Sequence, residues 1–469
     1  MVPERTEHAE EFILPFTSIS ITPFLSDLKK EMANRGKKLE FVPKDKYCSQ
    51  NLQKHVDNGC IIDRHLNHNP NTDMSFLLNK YNIKSPRGFV FPQIVYDHKY
   101  PKLCRSFPPT GSSSPNYKEY MDDLHRYLDF FDRLYQSGYK GIPIHNQGGS
   151  LHRQVVQKVA KEHGIMSMRY SFNPIPRRRS IRTTIDMRFP DLSKALENSL
   201  SKNEKKRAKS YLESIRQNEP EFGSETDSST EYVSRLRDKL QKILLFKGES
   251  VNRISWLIYR SILTKLSKIY QSRYNLSESN TIDLINNTDY IFFPIQYYCE
   301  SRVTMRAAPF FDQAYLVEYL SRNVPGTTEL LVKDHPRRAG SLPNQSAQEI
   351  SRFSNFAPPS ISAHKIIRNA SAVVTLNNTV GHEALLWGKP VVTLGDALYS
   401  ETRLTTDVND IDKLDVKISE AIDEGGPNEE EILRYINGLY RVSDPMVWGD
   451  RDDENVSDIV NSICKRNPN

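Results

Sequence analysis

The stretch Val373–Gly395, VVTLNNTVGHEALLWGKPVVTLG, constrains this chain more than any other. Two copies of Val-Val-Thr-Leu read as short buried strands, and Thr379–Trp387 between them reads as a helix. Gly388 stops that helix and Lys389-Pro390 launches the second strand. Strands joined this way are almost always parallel, with a right-handed crossover. The turn into the helix, Asn377-Asn378-Thr379, puts three polar residues where free backbone N–H groups and the positive dipole end meet. Such a turn suits an anion, most commonly a nucleotide phosphate.

The 469 residues are long enough for roughly three domain-sized units or two larger ones. A hydrophobic fraction of 38% and 10% aromatics describe a folded globular protein. No apolar run approaches the roughly 18 residues that span a bilayer. The opening MVPERTEHAEEF lacks the order of a signal peptide. The expected place is therefore the cytoplasm. Cys48, Cys60, Cys104, Cys299 and Cys464 show no paired spacing, which fits reduced thiols better than a disulfide framework or zinc site. The net charge of +6 is a weak bias over this length, compatible with an acidic ligand or anionic lipid headgroups. It is not concentrated as nucleic-acid binding requires. The densest basic run, Arg177-Arg178-Arg179, reads either as a solvated loop or as an electropositive lip for an anionic acceptor or lipid phosphate.

Along the chain, α/β patterning appears twice. In the first part, Phe12–Phe16 and Gly88–Val95 look strand-like, and Lys118–Gln136 looks helical. Tyr139–His145 reads as a strand, Asn146–Ser150 as a glycine-containing turn, and Leu151–His163 as a helix with Leu151, Val155, Val156 and Val159 on one face. From about 192 to 275 no strand pattern appears, and Glu219–Ser229 is an acidic, Ser-rich loop. The rhythm returns with strands at Tyr290–Pro294 and Glu329–Lys333 and a helix at Phe310–Arg322. The expected division is 1–191 (an N-terminal, acceptor-side α/β domain), 192–284 (a helical bridge), 285–427 (a C-terminal donor domain) and 428–469 (a helical tail). Ligands of open α/β sheets sit at the carboxyl ends of strands, so Lys333-Asp334-His335, Asn377-Asn378-Thr379 and Asn146–Ser150 are the candidate ends.

Tyr290–Gln296, Glu300-Ser301, Asp312-Gln313, Val332–Pro336, Thr379-Val380-Gly381, Glu383-Ala384-Leu385, Gly388-Lys389-Pro390 and Gly395 together resemble the capsule polysaccharide biosynthesis proteins, in order and spacing. The likeness covers roughly 285–400, about a quarter of the chain. That family includes bacterial transferases that move 3-deoxy-manno-octulosonic acid (Kdo) from its CMP-activated form onto lipid-linked glycans. The resemblance implies a GT-B fold: two Rossmann-like domains facing across a cleft, the donor nucleotide on the C-terminal one. It also implies that His335, Pro336, Asn378 and Thr379 hold the nucleotide, with Gly381 in the same motif. This chain has Asn378 where the family often has Ser or Thr; Asn can still cap a helix and donate to an oxyanion.

Each candidate has a plainer structural reading. Asn378 and Thr379 can simply cap a helix. His335 can be the residue that happens to precede a strand-ending proline, although Pro336 biases it to an extended backbone that holds the ring forward. Lys333, on the same side as His335 by alternation, can be an ordinary surface lysine. Glu383 can complement the helix dipole, whereas GT-B likeness gives it the ribose hydroxyls. His382 reads as a surface residue. Gln296 and Glu300 take a cleft role by family likeness, or lie in a solvated loop. In the N-terminal half the family shows an acid before a Gly-containing loop and an Asp after a Pro-rich stretch. Here Asp186 matches the later Asp, and the earlier acid is missing, with Ser171 or Phe172 in its place. Transfer needs a carboxylate to take the acceptor's proton or to attack the anomeric carbon, which makes Asp186 the catalytic candidate.

Three functions stay open. The first is a cytoplasmic glycosyltransferase, peripheral to the inner face of the membrane, moving a sugar such as Kdo from a nucleotide donor to a glycan or lipid-linked acceptor. It would use no cofactor and no metal, since helix ends and basic side chains can offset leaving-group charge. The second is a non-catalytic capsule polysaccharide assembly or export factor with a degenerate GT-B fold. The third is another GT-B enzyme, such as a sugar-nucleotide epimerase.

Overall fold

The computed structural model describes residues 11–16, 21–44, 46–98, 117–146, 148–182, 190–219, 262, 265–297, 300–335, 339–340, 342 and 344–465. These fall into two compact units: residues 1–94, 114–186 and 439–469 form the first, and 95–113 with 187–438 the second. Each is built on its own six-stranded sheet.

The first sheet contains β1 (Glu11–Phe16), β2 (Lys38–Pro43), β3 (Ile142–Asn146), β4 (Met168–Phe172), β5 (Arg178–Arg182) and β12 (Asp444–Pro445) in the order β12-β5-β4-β3-β1-β2. Strands β2, β1, β3 and β4 run parallel, while β5 and β12 are antiparallel additions at one edge. Phe12, Leu14, Phe41 and Ile144 pack one face, against Leu25 and Leu28 of the helix Thr22–Asn34. The terminal helix Asp453–Lys465 joins this core through Val456, Ile459, Val460 and Ile463, a helical i, i+3, i+4, i+7 stripe. That stripe is why residues 439–469 belong to the first unit.

Gly88–Val95, which reads as strand, is helical within Pro86–His98. Its apolar run GFVFPQIV has no strict alternation, and Val90 and Ile94, four residues apart, bury the same face in a core with Leu124, Leu128 and Phe131. Tertiary burial outweighs the strand preference of Phe and Val there.

The second sheet contains β6 (Tyr290–Pro294), β7 (Glu329–Lys333), β8 (Asn355–Ala357), β9 (Ala372–Thr375), β10 (Val391–Thr393) and β11 (Thr406–Asp407) in the order β11-β10-β9-β6-β7-β8. All of its pairings are parallel. Every residue of β6, β9 and β10 is buried, the mark of strands covered on both faces. The βαβ unit read from Val373–Gly395 is present as β9, the helix Thr379–Leu386 and β10. Gly388 ends that helix at φ +66°, a conformation L side chains resist. Both sheets are α/β and parallel-rich, as expected of a chain with two Rossmann-like domains. The helices Pro190–Leu196, Lys202–Asn218 and Glu278–Asn287, from the segment read as a bridge, belong to the second unit. The acidic loop and the rest of 220–261 lie outside the described residues.

Candidate functional site

Counted from β6, the second sheet has the strand order 3-2-1-4-5-6 of dinucleotide-binding folds. The chain runs outward from β6 to β7 and β8, then returns to the other side of β6 to form β9. Between β6 and β9 the connections therefore diverge, and a crevice opens at their carboxyl ends. Three of the motifs picked out above meet at this point.

Asn378 is the N-cap of the helix Thr379–Leu386. Its Oδ1 accepts from the Val380 N–H at 3.0 Å and from Thr375 Oγ1 at 2.9 Å, and its Nδ2 donates to the Pro294 carbonyl at 3.2 Å. One side chain thus ties the end of β9, the helix start and the end of β6. The Asn378 carbonyl also accepts from the Tyr399 hydroxyl at 2.7 Å. Tyr399 can lie there only because residue 381 is glycine: a Cβ at Gly381 would run into the Tyr399 ring and hydroxyl. Thr379 follows, half-buried, at the mouth of the helix. The capping reading of Asn378 is therefore true, and Thr379 is the first residue of the helix.

After β6, Gln313 imitates a backbone strand. Its Oε1 accepts the Gln296 N–H and its Nε2 donates to the Gln296 carbonyl, both at 2.7 Å. This clamp fixes the loop that carries Gln296 and Glu300. Gln296 is buried and its Nε2 lies 3.5 Å from Glu300 Oε2, while Glu300 itself is exposed. Asn377 is also buried, its Nδ2 donating to the Arg302 carbonyl at 2.9 Å. The Oε1 of Gln296 and the Oδ1 of Asn377 find no donor among the described residues. A buried carbonyl left this way costs about 1–3 kcal/mol, and the two lie at one switch point. Asn377 and Gln313 both lie in motifs read from the sequence, but the contacts they make, to the Arg302 carbonyl and to the Gln296 backbone, are set by the fold.

Lys333 pairs in register with Pro294, and the Ile295 N–H donates to the Lys333 carbonyl at 2.9 Å. The end of β7 is thus joined to the strand end that Asn378 holds. Lys333 is buried, not a surface lysine, with Nζ 3.5 Å from the Asp334 carbonyl. Asp334 Oδ1 accepts the His335 N–H at 2.7 Å, and His335 is half-buried. Pro336 lies outside the described residues, as does Asp186, so the catalytic candidate has no position here.

His382 is not a surface residue. It is buried, with Nδ1 2.9 Å from the Tyr435 hydroxyl. Burial pushes its pKa down to about 3, so it is neutral. The physical reason is the helix it sits on: all six residues from Gly381 to Leu386 are buried, leaving no solvated face. Glu383 is buried too, its Oε2 3.8 Å from His364 Nε2. Because Trp387 Nε1–H can only donate, and meets His364 Nδ1 at 2.9 Å, a neutral His364 carries its proton on Nε2, towards Glu383.

In the first unit, Arg177 pairs with Asp450 at 3.4 Å. Arg178 is no solvated residue. It donates to Ser443 Oγ at 2.8 Å and to the Tyr440 carbonyl at 3.2 Å, at the end of the helix Glu429–Arg441. Arg179 stacks over the Phe172 ring. The triplet is thus largely spent on holding the chain's last segment. Cys60 and Cys464 are free thiols. No group of three or more His, Cys, Asp or Glu suited to a metal occurs among the described residues.

Residues 250–421 match the family model described as capsule polysaccharide biosynthesis protein. Protein FixF of Sinorhizobium fredii is 30% identical over 133 residues, which are 28% of this chain and 32% of that protein. The capsule polysaccharide export protein KpsS of Escherichia coli is 29% identical over 133 residues, 26% of this chain and 34% of that one. The match thus spans about a third of the length of these relatives. Among solved structures, the β-Kdo 2,4 transferase KpsC of Thermosulfurimonas dismutans aligns with 70% of this chain and 88% of its own, at 12% identity and a TM-score of 0.39. Over residues 250–421, the part that holds β6 to β11 and their strand-end motifs, this chain carries the pattern of the capsule polysaccharide biosynthesis proteins.

Proposed function

We propose that the second unit binds a sugar nucleotide at the ends of β6 and β9, and that the chain is a glycosyltransferase of surface-polysaccharide assembly. The observation that carries this reading is the pair of donorless buried carbonyl oxygens, Gln296 Oε1 and Asn377 Oδ1, at the switch point. Ribose hydroxyls and an exocyclic base amine are donors of the kind those oxygens lack. A helix dipole alone contributes about 0.3–1 kcal/mol towards an anion. The phosphate therefore needs charge-assisted partners at roughly 1.5–3 kcal/mol each, and Lys333 and His335 on the adjoining strand end are the candidates. Thr379 would offer its hydroxyl and N–H beside them. Glu383, buried against His364, would act by positioning the helix more than by meeting the sugar. The family pattern favours a CMP-activated donor with Kdo as the sugar, and a glycan or lipid-linked acceptor. Asp186 would serve as the carboxylate that accepts the acceptor's proton or attacks the anomeric carbon.

Isothermal titration of CMP, CMP-Kdo and UDP-sugars into the purified chain tests the site. We expect a cytidine nucleotide to bind, and binding of none would end the proposal. One observation favours a second reading, an assembly or export factor without transfer chemistry. The family's earlier acid is missing, with Ser171 or Phe172 of β4 in its place, and neither carries a carboxylate. Asp186→Asn separates the two: a transferase loses turnover and keeps nucleotide affinity, whereas a factor keeps glycan production in cells.

A further inference from the structure

We propose that the surface strip formed by Ile262, Leu266 and Ile269 docks on an anionic lipid membrane. The helix at residues 265–271 is inside out. Its polar residues face the protein: Ser267 and Gln271 are buried, Ser267 Oγ donates to Asn344 Oδ1 at 3.0 Å, and Gln271 Nε2 donates to the Leu342 carbonyl at 2.7 Å and Ser267 Oγ at 2.9 Å. Its apolar residues Leu266 and Ile269 are 57% and 64% exposed, and Ile262, three residues before it in sequence, is 52% exposed. Their sequence spacing, i, i+4 and i+7, is that of one helical stripe. Of the eight exposed large apolar side chains among the described residues, these three fall on this one stripe. Scattered singly they would need no explanation, but a stripe does.

Charge identifies the occupant. Between Glu249 and Glu278 the sequence has no acidic residue and five basic ones, Arg253, Arg260, Lys265, Lys268 and Arg273. Lys265 and Lys268 are exposed beside the stripe. Tyr270 and Tyr274 share a 3.0 Å hydroxyl contact at its edge, with the Arg273 guanidinium over the Tyr270 ring. An apolar stripe flanked by lysines and interfacial tyrosines is the chemistry of helices that lie in the headgroup region of an anionic bilayer. Lysine stems can cover the acyl boundary while their ammonium groups stay with lipid phosphate. A second copy of the chain fits poorly, because an isologous contact would set this acid-free strip against itself. The inference does not depend on sugar transfer.

Cosedimentation of the full chain with phosphatidylcholine vesicles, alone or mixed with phosphatidylglycerol, tests it. The parent chain should pellet with the mixed vesicles, release at high salt, and stay in solution with phosphatidylcholine alone. Leu266→Asp with Ile269→Asp should lose about tenfold or more of the partitioning. Lys265→Gln with Lys268→Gln, which changes exposed charge alone, should lose on the order of tenfold at low salt and decides the matter if the aspartates misfold. No pelleting of the parent, or unchanged pelleting of the lysine variant, overturns the proposal. So does sedimentation velocity showing a dimer that the aspartate variant dissociates, which would give the stripe to a second copy.

Discussion

In the second unit, the strands flanking the switch point end in side-chain carbonyl oxygens without donors, those of Gln296 and Asn377. In the first, the parallel strands run in the order 2-1-3-4, so its switch point lies between β1 and β3. The helix Leu151–Glu162 that follows β3 opens with Ser150, His152 and Arg153, all buried. There Arg153 Nε donates to the Pro15 carbonyl of β1 at 3.4 Å, and the Leu151 N–H donates to Gln93 Oε1 at 3.0 Å. The groups that these bonds join in the first unit are paired within it, whereas Gln296 Oε1 and Asn377 Oδ1 in the second have no donor among the described residues. The difference teaches that a shared fold leaves site chemistry open, because it is set by one or two residues beyond each strand.

The stability of the two units can be separated by breaking each in turn. The largest effect should come from Asp132 of the first unit, buried and bonded through Oδ1 to Lys80 Nζ at 2.6 Å, Tyr81 Oη at 2.6 Å and His163 Nε2 at 2.9 Å. Asp132→Ala leaves three donors around a vacated buried carboxylate and should cost about 3–5 kcal/mol. Differential scanning calorimetry should show the loss, with nucleotide affinity of the surviving folded fraction unchanged. Next is Gly381→Ala in the second unit, which drives a methyl group into the Tyr399 ring and hydroxyl. It should cost towards the upper end of about 1–3 kcal/mol and lower nucleotide affinity as well, because Tyr399 anchors the Asn378 carbonyl. Tyr399→Phe in the same chain should restore part of the stability.

Acid should act first on the first unit. Burial pushes the Asp129 carboxyl up, but bonds from Thr72, His68 and the Asn71 N–H outweigh it and hold the pKa at about 2, below the ordinary 3.8. A depressed carboxylate contributes stability above its unfolded pKa and loses it as pH falls through the folded one. The expected window is therefore pH about 4 to about 2, and the loss about 2 kcal/mol. Asp129→Asn should flatten acid unfolding over that window; an unchanged profile would refute the assignment.

Much of the second unit was legible because its central strands are short, fully buried runs of the kind a parallel sheet covered on both faces accommodates. Tyr290–Pro294 and Glu329–Lys333 have the bounds that pattern gives. The first unit was less so. Gly88–Val95 has strand-like residues in a helix, and β12 arises from a tail that carries no strand signal in two residues. Among site residues, Asn378 was readable from local chemistry, since capping acts within a few residues, whereas Gly381 came only with the family resemblance and its close approach is to the distant Tyr399. The partners of His382, Asn377 and Gln313 were not readable, because Tyr435, Arg302 and Gln296 lie 17 to 75 residues away.

The smallest stability effect sharpens the comparison most. Gln296→Met keeps the length of the side chain and the backbone clamp from Gln313, and removes the donorless Oε1 with only a 3.5 Å contact to Glu300. If that oxygen is a burden in the free protein, the thermal midpoint should stay level or rise, a gain of up to about 1 kcal/mol. If the same oxygen accepts from a ligand, nucleotide affinity should fall by roughly 2- to 12-fold, the worth of one neutral hydrogen bond. The signs are opposite, and a residue kept only for packing would lose both stability and affinity or neither. A rise in melting temperature with weaker binding is the outcome expected of a group held unsatisfied for its ligand. A variant as tight-binding as the parent would take Gln296 out of the site and leave Asn377 as the sole acceptor for the donor reading.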